Sequence, residues 1–509
     1  MSKRIRSALC FCSLAFFVMA TGCGGGNGVT VPAPPSPPLV GLTAAEVQTV
    51  VENAASSVDA PVVIAVTDRG GHILAVFQKT GAAATATGNF GASVATTELA
   101  VALARTAAYF SNDQAPLSSR TVRFISGIHF PPGITNTANA ALYGIENTNR
   151  GCPLNVTFLP GQTIDPSRSI SGASLGLGII TGKVDTSDSD PNAINPGGAP
   201  LFRNGRLVGG LGVAGAAPPV AEFAAFSAAA SSGFGANPAP PGVVVIDGIA
   251  LPFVVQTTRP AGSNPGTLAG VFAVGPIASP GPVPEGDLIL AKAGLIGGLT
   301  LAEVQSIVNQ AIATANQTRA IIRLPDGQRA RFAIAISDLD GTILALNRMP
   351  DATVFSVDVA VAKARNMAYF SSAGVSPADL PGVPAQTAVT NRTISFGAQP
   401  LFPPGIDGTA AGPFFNLYQF DLANPCTNGG QPPSANQNGV VFFPGSVPIY
   451  KGGVLVGGLG ISGDGVEQDD YVSAQAAAAF GAPPGIRADQ ITLRGVRLPY
   501  LKFPRNPTL

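Results

Sequence analysis

Charged residues are scarce in this sequence, and tryptophan is absent. Asp, Glu, Lys and Arg make up 11% of the 509 residues, whereas a typical soluble domain has about a quarter. The 29 basic residues balance the 29 acidic ones, so the chain lacks the basic excess that binds nucleic acids or anionic membrane surfaces. We expect no nucleic-acid partner. So few charges also indicate that part of the surface is covered, in an oligomer or between parts of the chain.

Histidine and long hydrophobic runs are also rare. His72 and His129 are the two histidines of the chain, and neither has a second potential ligand at the spacing of a metal site. After the N-terminal segment, no apolar run reaches the ~18 residues that a membrane span needs. These absences disfavour a histidine-based metal centre and a later transmembrane helix.

The N-terminus has the features of an export signal. Lys3 and Arg4 precede an apolar stretch over residues 8–20, and Ala-Thr-Gly-Cys ends at Cys23. The pattern is typical of a secretory signal. It also resembles a bacterial lipoprotein box, which implies cleavage before Cys23 and attachment of lipid to it. An ordinary cleaved signal is the alternative.

These features predict an exported protein. Residues 1–22 are expected to form the lipoprotein signal peptide and residues 23–40 a Gly/Pro-rich tether, because this stretch has no periodicity. The expected location is the cell envelope, at the outer membrane or facing the periplasm if the cell has two membranes. The N-terminal lipid is then the only expected membrane attachment.

Most of the remaining sequence is a tandem repeat. From Gly41 the first copy contains GLTAAEVQ, IAVTDRGGHILAV, ARTAAYFS, FPPGI and PLFRNGRLVGGLGVAG. From Gly298 the second contains GLTLAEVQ, IAISDLDGTILAL, ARNMAYFS, FPPGI and PIYKGGVLVGGLGISG in the same order. The repeat predicts copy one over residues 41–261 and copy two over residues 298–509. Residues 262–297, rich in Gly and Pro, are expected to be an interdomain linker.

Each copy has the pattern of helices alternating with hairpins. Thr43 and Thr300 are each followed three residues later by glutamate, which fits the capping box at a helix start. Two β-branched runs around a tight turn predict a hairpin, and an alanine-rich helix follows over about residues 93–110 and 353–370. A long irregular stretch, a second hairpin, a third helix and a closing strand pair complete the copy. This order is typical of an α+β fold with an antiparallel sheet.

The opening helix, the first hairpin, the ARTAAYFS helix and the second hairpin together resemble the GlcG/HbpS-like family, also described as DUF336 or haem-binding domains. In copy two the resemblance extends to LNRMPDA and GISGDGVEQDD. It implies two tandem profilin-like α/β/α domains, each with a five-stranded antiparallel sheet. It also implies binding of a tetrapyrrole in some members and a tendency to form oligomers.

The resemblance makes haem the candidate cofactor. His72, after the first hairpin turn, and His129 are the candidate axial ligands, although a solvated or packed histidine is the more common arrangement. Copy two has no histidine. It would use Tyr369, Met349 or Met367, or bind without an axial protein ligand.

The second helix of each copy supplies the other candidate ligand contacts. Arg105 and Arg365 lie at equivalent positions and could contact a propionate or another acidic group, with a structural salt bridge as the alternative. The shared Ala-Tyr-Phe-Ser places Tyr109 and Tyr369 beside them. We predict a cofactor-binding role for these four residues.

Two cysteines occupy equivalent places. Cys152 and Cys426 lie nine and eight residues after Tyr143 and Tyr418. An oxidising compartment permits a disulfide, and equivalent residues approach each other near a pseudo-twofold axis. Two separately buried thiols are the alternative.

Three motifs imitate catalytic signatures without the required setting. Residues 338–342 (DLDGT) resemble the first motif of haloacid-dehalogenase-type phosphatases, but copy one lacks the second aspartate and the strand returns through a hairpin. Residues 210–215 and 458–463 fit GxGxxG but follow a hairpin. Residues 172–176 fit GxSxG with no helix after them. We expect no enzyme activity from these motifs.

An acidic group near the last helix of copy two could hold Ca²⁺. Such sites need six or more oxygen ligands, and copy one has no counterpart, so capping the helix start is the preferred interpretation. The group consists of Asp464, Glu467, Asp469 and Asp470.

Two functions remain open from the sequence. The first is an exported, lipid-anchored protein that binds haem or another flat apolar ligand for storage, sensing or transfer. The second is a structural or interaction lipoprotein that keeps the domain as a scaffold without a ligand. Both predict a pseudo-dimer within the chain.

Overall fold

The computed structural model describes residues 41–154, 167–236 and 244–508. The predicted signal peptide, Cys23 and the tether lie outside the described residues, so export and lipid attachment stay predictions. Among the described helices, none combines the length and the apolar character needed to cross a membrane.

The first copy begins with a helix whose start has both hydrogen bonds of the predicted capping box at Thr43. Its elements are α1 (Ala44–Ser57), β1 (Val63–Asp68), β2 (Ile73–Lys79), β3 (Thr85–Thr87), β4 (Ser93–Ala95), α2 (Thr96–Phe110), α3 (Ser119–Phe124), β5 (Gly198–Arg203), β6 (Arg206–Ala214), α4 (Pro218–Ser231), β7 (Val245–Ile246), β8 (Ile249–Ala250) and β9 (Gly270–Val274).

The second copy repeats this order, again with a capping box, at Thr300. Its elements are β10 (Gly286–Ile289), α5 (Leu301–Ala315), β11 (Phe332–Ser337), β12 (Ile343–Arg348), α6 (Phe355–Phe370), α7 (Asn391–Gly397), α8 (Phe415–Ala423), β13 (Ser446–Lys451), β14 (Val454–Gly463), α9 (Val466–Ala476), β15 (Thr492–Leu493) and β16 (Val496–Arg497). The stretches predicted as irregular thus contain the short helices α3, α7 and α8.

Each copy builds a five-stranded antiparallel sheet. The strand order is β5-β6-β1-β2-β9 in the first sheet and β10-β12-β11-β14-β13 in the second. The predicted fold class, α+β with one such sheet per copy, is confirmed.

Helices cover both faces of each sheet. In β1, Ile64 and Val66 pack in a cluster with α1 and α4, whereas Val63 and Ala65 pack in a cluster with α2. Successive strand residues point to opposite faces, so a strand that is apolar throughout is expected between two helical layers. In the second copy, α5 and α9 cover one face and α6 covers the other.

Residues 262–297, expected to be a linker, supply an edge strand to each sheet. β9 pairs with β2, and β10 pairs with β12. The predicted closing strand pairs are present as the two-stranded hairpins β7–β8 and β15–β16, which are separate from the five-stranded sheets. Edge strands tolerate Gly and Pro better than central strands do. The Gly- and Pro-rich composition of residues 262–297 therefore resembles that of a linker, although the segment contains two edge strands.

The two copies share a hydrophobic core. Phe110 of α2 stacks on Phe355 of α6 with ring centroids 4.1 Å apart, in a cluster that includes residues of both copies. Tyr143 stacks on its equivalent Tyr418, with centroids 5.2 Å apart. Contacts between equivalent residues place them near a pseudo-twofold axis, so the chain is a pseudo-dimer within itself.

A disulfide bond also joins the two copies. Cys152 and Cys426 are linked, with their Cα atoms 5.3 Å apart and a sequence separation of 274. A cross-link over so long a loop removes much conformational freedom from the unfolded chain.

We predict that replacing both cysteines by alanine lowers the free energy of unfolding by about 2–5 kcal/mol. Denaturant unfolding of the parent and the variant, with and without reductant, measures the loss. Reductant should destabilise the parent and leave the variant unchanged. Equal stability of the two under oxidising conditions would contradict the prediction.

Candidate functional site

The first hairpin turn of copy one holds the predicted ligand His72 against a carboxylate. Its Nδ1 lies 3.0 Å from Oδ2 of Asp68, and its backbone N–H donates to Oδ1 of Asp68 at 2.9 Å. The hydroxyl of Ser279 donates to the same carboxylate. The Nε2 atom of His72 is buried without a hydrogen-bond partner, which leaves it as the nitrogen available to a ligand.

Helix α2 brings two further predicted residues to this turn. Arg105 donates from Nε to the carbonyl of Gly71 at 2.9 Å and from Nη1 to the carbonyl of Arg168 at 2.7 Å. The hydroxyl of Tyr109 donates to the carbonyl of Gly70 at 3.3 Å. The structure therefore brings His72, Arg105 and Tyr109 together.

Copy two keeps the arginine contact and changes the tyrosine contact. Arg365 of α6 donates from Nε to the carbonyl of Gly341 at 2.9 Å. Tyr369 instead donates to Oδ2 of Asp379 at 2.7 Å and accepts from the backbone N–H of Ser376. Burial, together with this carboxylate, raises the pKa of Tyr369 well above its usual value.

Arg365 and Tyr369 line a small polar cavity of about 100 Å³. Pockets for organic ligands occupy about 300–1,000 Å³, so a tetrapyrrole does not fit this cavity. The alternative iron ligands Met349 and Met367 are packed in hydrophobic clusters.

His129 lies apart from the hairpin turn, at a contact between the copies. Its Nε2 is 2.7 Å from Oδ1 of Asp407, and this hydrogen bond lowers the pKa of Asp407. Its Nδ1 is buried without a partner. One nitrogen held by a carboxylate and the other left open is the usual arrangement of a metal-binding histidine.

A larger cavity between the copies was not predicted from the sequence. It has a volume of about 440 Å³. Both copies line it, with apolar side chains from Ile125, Phe130, Phe396 and Val466 among the walls. The repeated FPPGI motif, which contains Phe130, is the sequence signal that could have pointed to this region.

Charged groups lie at the same cavity. Arg392 is bonded through Nε to the buried carboxylate of Asp470, and its Nη2 is buried without a partner. Lys502 forms an ion pair with Glu467. The remaining charged residue of the lining, Asp247, is exposed.

The acidic group near α9 is paired with cations. Asp464 bonds to Arg323, Asp469 to Lys363 and Asp470 to Arg392, and Glu467 pairs with Lys502. Over the described ranges, no cluster of three or more His, Cys, Asp or Glu residues could hold a metal ion. These carboxylates therefore serve as counter-charges for cations.

The three motifs that resemble catalytic signatures, DLDGT, GxGxxG and GxSxG, make structural contacts in the described part of the chain. Asp338 of DLDGT accepts from the backbone N–H groups of Ile296, Gly297 and Leu339. A Cβ atom on Gly212 or Gly460, in the GxGxxG segments, would lie about 2 Å from a carbonyl of α2 or α6, so these glycines permit close packing of helix and strand. Ser174 bonds to Ser169 in an exposed loop.

The hairpin turn in copy one requires glycine at position 71. Gly71 has φ +89°, and a Cβ atom there would lie 2.1 Å from the hydroxyl oxygen of Tyr109. Gly248 has a similar φ of +81° and nothing within 4 Å of such a Cβ. Comparing alanine variants at these two positions therefore separates the cost of backbone strain from the cost of the clash with Tyr109.

We predict that Gly248→Ala lowers the free energy of unfolding by about 1–2 kcal/mol, the cost of a left-handed alanine. Gly71→Ala adds a clash worth about 1–3 kcal/mol more. Tyr109→Phe should restore part of the extra loss, because it removes the nearest clashing atom. Denaturant unfolding measures all variants, and equal losses for the two glycine variants would refute the close contact.

Comparison with known proteins finds similarity over part of the chain. Residues 299–478 match the family described as "Haem degrading protein HbpS-like". Corrinoid adenosyltransferase PduO of Salmonella typhimurium is 30% identical over 163 residues, which are 32% of this chain and 36% of that protein. The PduO of Citrobacter freundii shows the same identity and coverage. The match thus spans little more than a third of these relatives.

Two solved structures also resemble part of the chain. The PduOC:heme complex has 25% sequence identity and a TM-score of 0.24, covering 36% of this chain and 96% of its own. The Klebsiella pneumoniae protein ORFY, a DUF336 protein, has 20% identity and a TM-score of 0.24, covering 38% and 97%. The family match lies within copy two, where the motifs shared with that family also lie, so residues 299–478 are similar to the HbpS-like family.

Proposed function

We propose that this chain binds haem, or another flat and mainly apolar tetrapyrrole, in the cavity between its two copies. The observation that carries the proposal is the cavity of about 440 Å³, which has the size of pockets for organic ligands. The similarity to the HbpS-like family and to the haem complex of PduOC supports the choice of ligand. Haem and corrinoids are both tetrapyrrole-derived, so the PduO relatives agree with this ligand class.

The cavity walls fit the two parts of a haem. The apolar side chains of Phe130, Phe396 and Val466 can cover the macrocycle, since burying its faces removes apolar surface from water. Arg392 and Lys502 can receive the propionates, because charge-assisted hydrogen bonds to carboxylates are stronger than neutral ones. The free Nη2 of Arg392 makes this residue the stronger anchor.

His129 is the proposed iron ligand. It precedes Phe130 of the cavity wall, and its Nδ1 is buried and free. Iron bound there would supply a coordination and redox centre, while Asp407 orients the imidazole through Nε2. His72 is the second candidate, since Asp68 holds its Nδ1 and its Nε2 is free.

The proposed role is storage, sensing or transfer of the ligand outside the cytoplasm. The predicted signal and Cys23 support an exported, lipid-anchored protein with contact to the membrane through its lipid. The scarcity of charged residues supports burial of further surface in a homo-oligomer. The proposal contains no catalytic step.

Titration of the purified chain with hemin tests the ligand. We predict a saturable Soret band at micromolar protein with one haem per chain. Ala138→Trp, at an exposed position of the cavity lining, should weaken binding roughly tenfold or more, a loss of ~1.4 kcal/mol or more. Ala45→Trp, at an exposed position of α1, is the matched control and should bind normally.

His129→Ala and His72→Ala then identify the iron ligand, because loss of an axial imidazole changes the Soret position. Absence of a saturable band would eliminate haem binding and favour the scaffold function without a ligand. Normal haem binding by Ala138→Trp would instead place the site elsewhere in the chain.

A further inference from the structure

Arg365 is a buried cation with one hydrogen-bonding group left over. Its side chain is 1% exposed. Nε donates to Gly341, and Nη1 donates to the carbonyl of Pro153 and to Oδ1 of Asn438. Nη2 is buried without a partner. A buried donor in this state costs about 1–3 kcal/mol, so an acceptor at Nη2 would stabilise the protein.

The charge of Arg365 is also incompletely balanced. Within the described part of the chain, no carboxylate forms a salt bridge with it. Burial lowers its pKa to about 10, although Asp358 and Asp340 act in the opposite direction. The buried carboxylate of Asp358 compensates part of this charge without forming a salt bridge with Arg365, and the exposed Asp340 contributes less. No negative charge therefore lies in direct contact with the guanidinium within the described residues.

The cavity beside Arg365 has the size and lining for a small polar group. Its volume is about 100 Å³, which suits a group of a few heavy atoms and not a ring system. Side-chain amides and hydroxyls dominate the lining, which includes Tyr369, Asn428, Gln431, Ser434 and Gln437.

Other carboxylates near the cavity are already engaged. Asp379 accepts the hydroxyl of Tyr369 and the backbone N–H of Gly430. Asp340 accepts from Thr342. Neither carboxylate makes a hydrogen bond to Arg365, so its remaining N–H group is available to an added acceptor.

We propose that copy two binds a small carboxylate at the buried guanidinium of Arg365. The ligand accepts a hydrogen bond from Nη2 and brings a negative charge into direct contact with the guanidinium, while the polar lining holds its remaining atoms. This site shares no lining residue with the cavity between the copies. The inference therefore stands independently of the proposed tetrapyrrole function.

Copy one provides a matched control. Arg105 makes the same Nε contact with its hairpin turn, and its Nη1 donates to the carbonyl of Arg168. Both Arg105→Gln and Arg365→Gln lose a turn contact. We expect only Arg365→Gln to lose the stabilisation of the folded chain by a small carboxylate.

Thermal unfolding of the full chain in sodium acetate, compared with sodium chloride at equal ionic strength, tests the proposal. We expect acetate to raise Tm by about 1–3 °C in a saturable manner, because a ligand that binds the folded state stabilises it. Arg105→Gln should show the same rise from its own baseline, and Arg365→Gln should show none.

Ser434→Trp is the second variant, since Ser434 is an exposed residue of the cavity lining. It leaves Arg365 in place and fills the cavity, so the acetate effect should disappear while the protein stays folded. An equal Tm in acetate and chloride for the parent chain would overturn the proposal. An unchanged acetate effect in Ser434→Trp would also overturn it.

Discussion

The arrangement of the two copies depends on the ion pairs that the carboxylate of Asp351 forms with both of them. Its Oδ1 lies 2.5 Å from Arg69 in the first hairpin turn of copy one, and its Oδ2 lies 2.5 Å from Arg323 of copy two. It also accepts the backbone N–H of Asp113. Burial raises the pKa of Asp351, but the two guanidinium groups outweigh burial and hold the pKa below its usual value. Removing one partner of a fully buried pair costs about 3–5 kcal/mol, and the loss here is expected to be smaller because 20% of the Asp351 side chain is exposed. Together with the disulfide and the shared core, this contact holds one copy against the other. The shared core and the cavity between the copies both require that fixed arrangement.

The pseudo-twofold relation explains why some equivalent residues meet and others diverge. Tyr143 stacks on Tyr418, and Cys152 is joined to Cys426, because these pairs lie near the axis and face each other. Residues away from the axis have separate surroundings and separate constraints. The second-helix tyrosines show this, since one bonds to its hairpin turn and the other to Asp379. The doubled fold therefore supports unequal sites.

Much of the fold could be predicted because its signals are local. The capping boxes at Thr43 and Thr300 and the two hairpins per copy depend on residues close in sequence. The edge strands in residues 262–297 could not be predicted, since their pairing comes from tertiary contacts and their composition resembles a linker. The same reason applies to the site. Repetition identified Arg105 and Arg365, but the larger cavity exists only where the two copies meet. The repeated FPPGI motif marks one segment of its wall and does not show which residues of the other copy lie opposite.

The polar groups left without partners connect stability to ligand binding. Buried donors and acceptors in native proteins are nearly always satisfied by protein or ordered water. Arg365 and Arg392 each keep a buried Nη2 without a protein partner, and each lines a cavity. His129, with its free Nδ1, precedes a residue of the larger cavity. A molecule that accepts a hydrogen bond from either guanidinium recovers about 1–3 kcal/mol per group. The Nδ1 of a neutral His129, whose Nε2 donates to Asp407, instead accepts a hydrogen bond or binds a metal ion. Such a molecule binds the folded state and not the unfolded chain, so occupancy of either cavity also raises the stability of the folded protein.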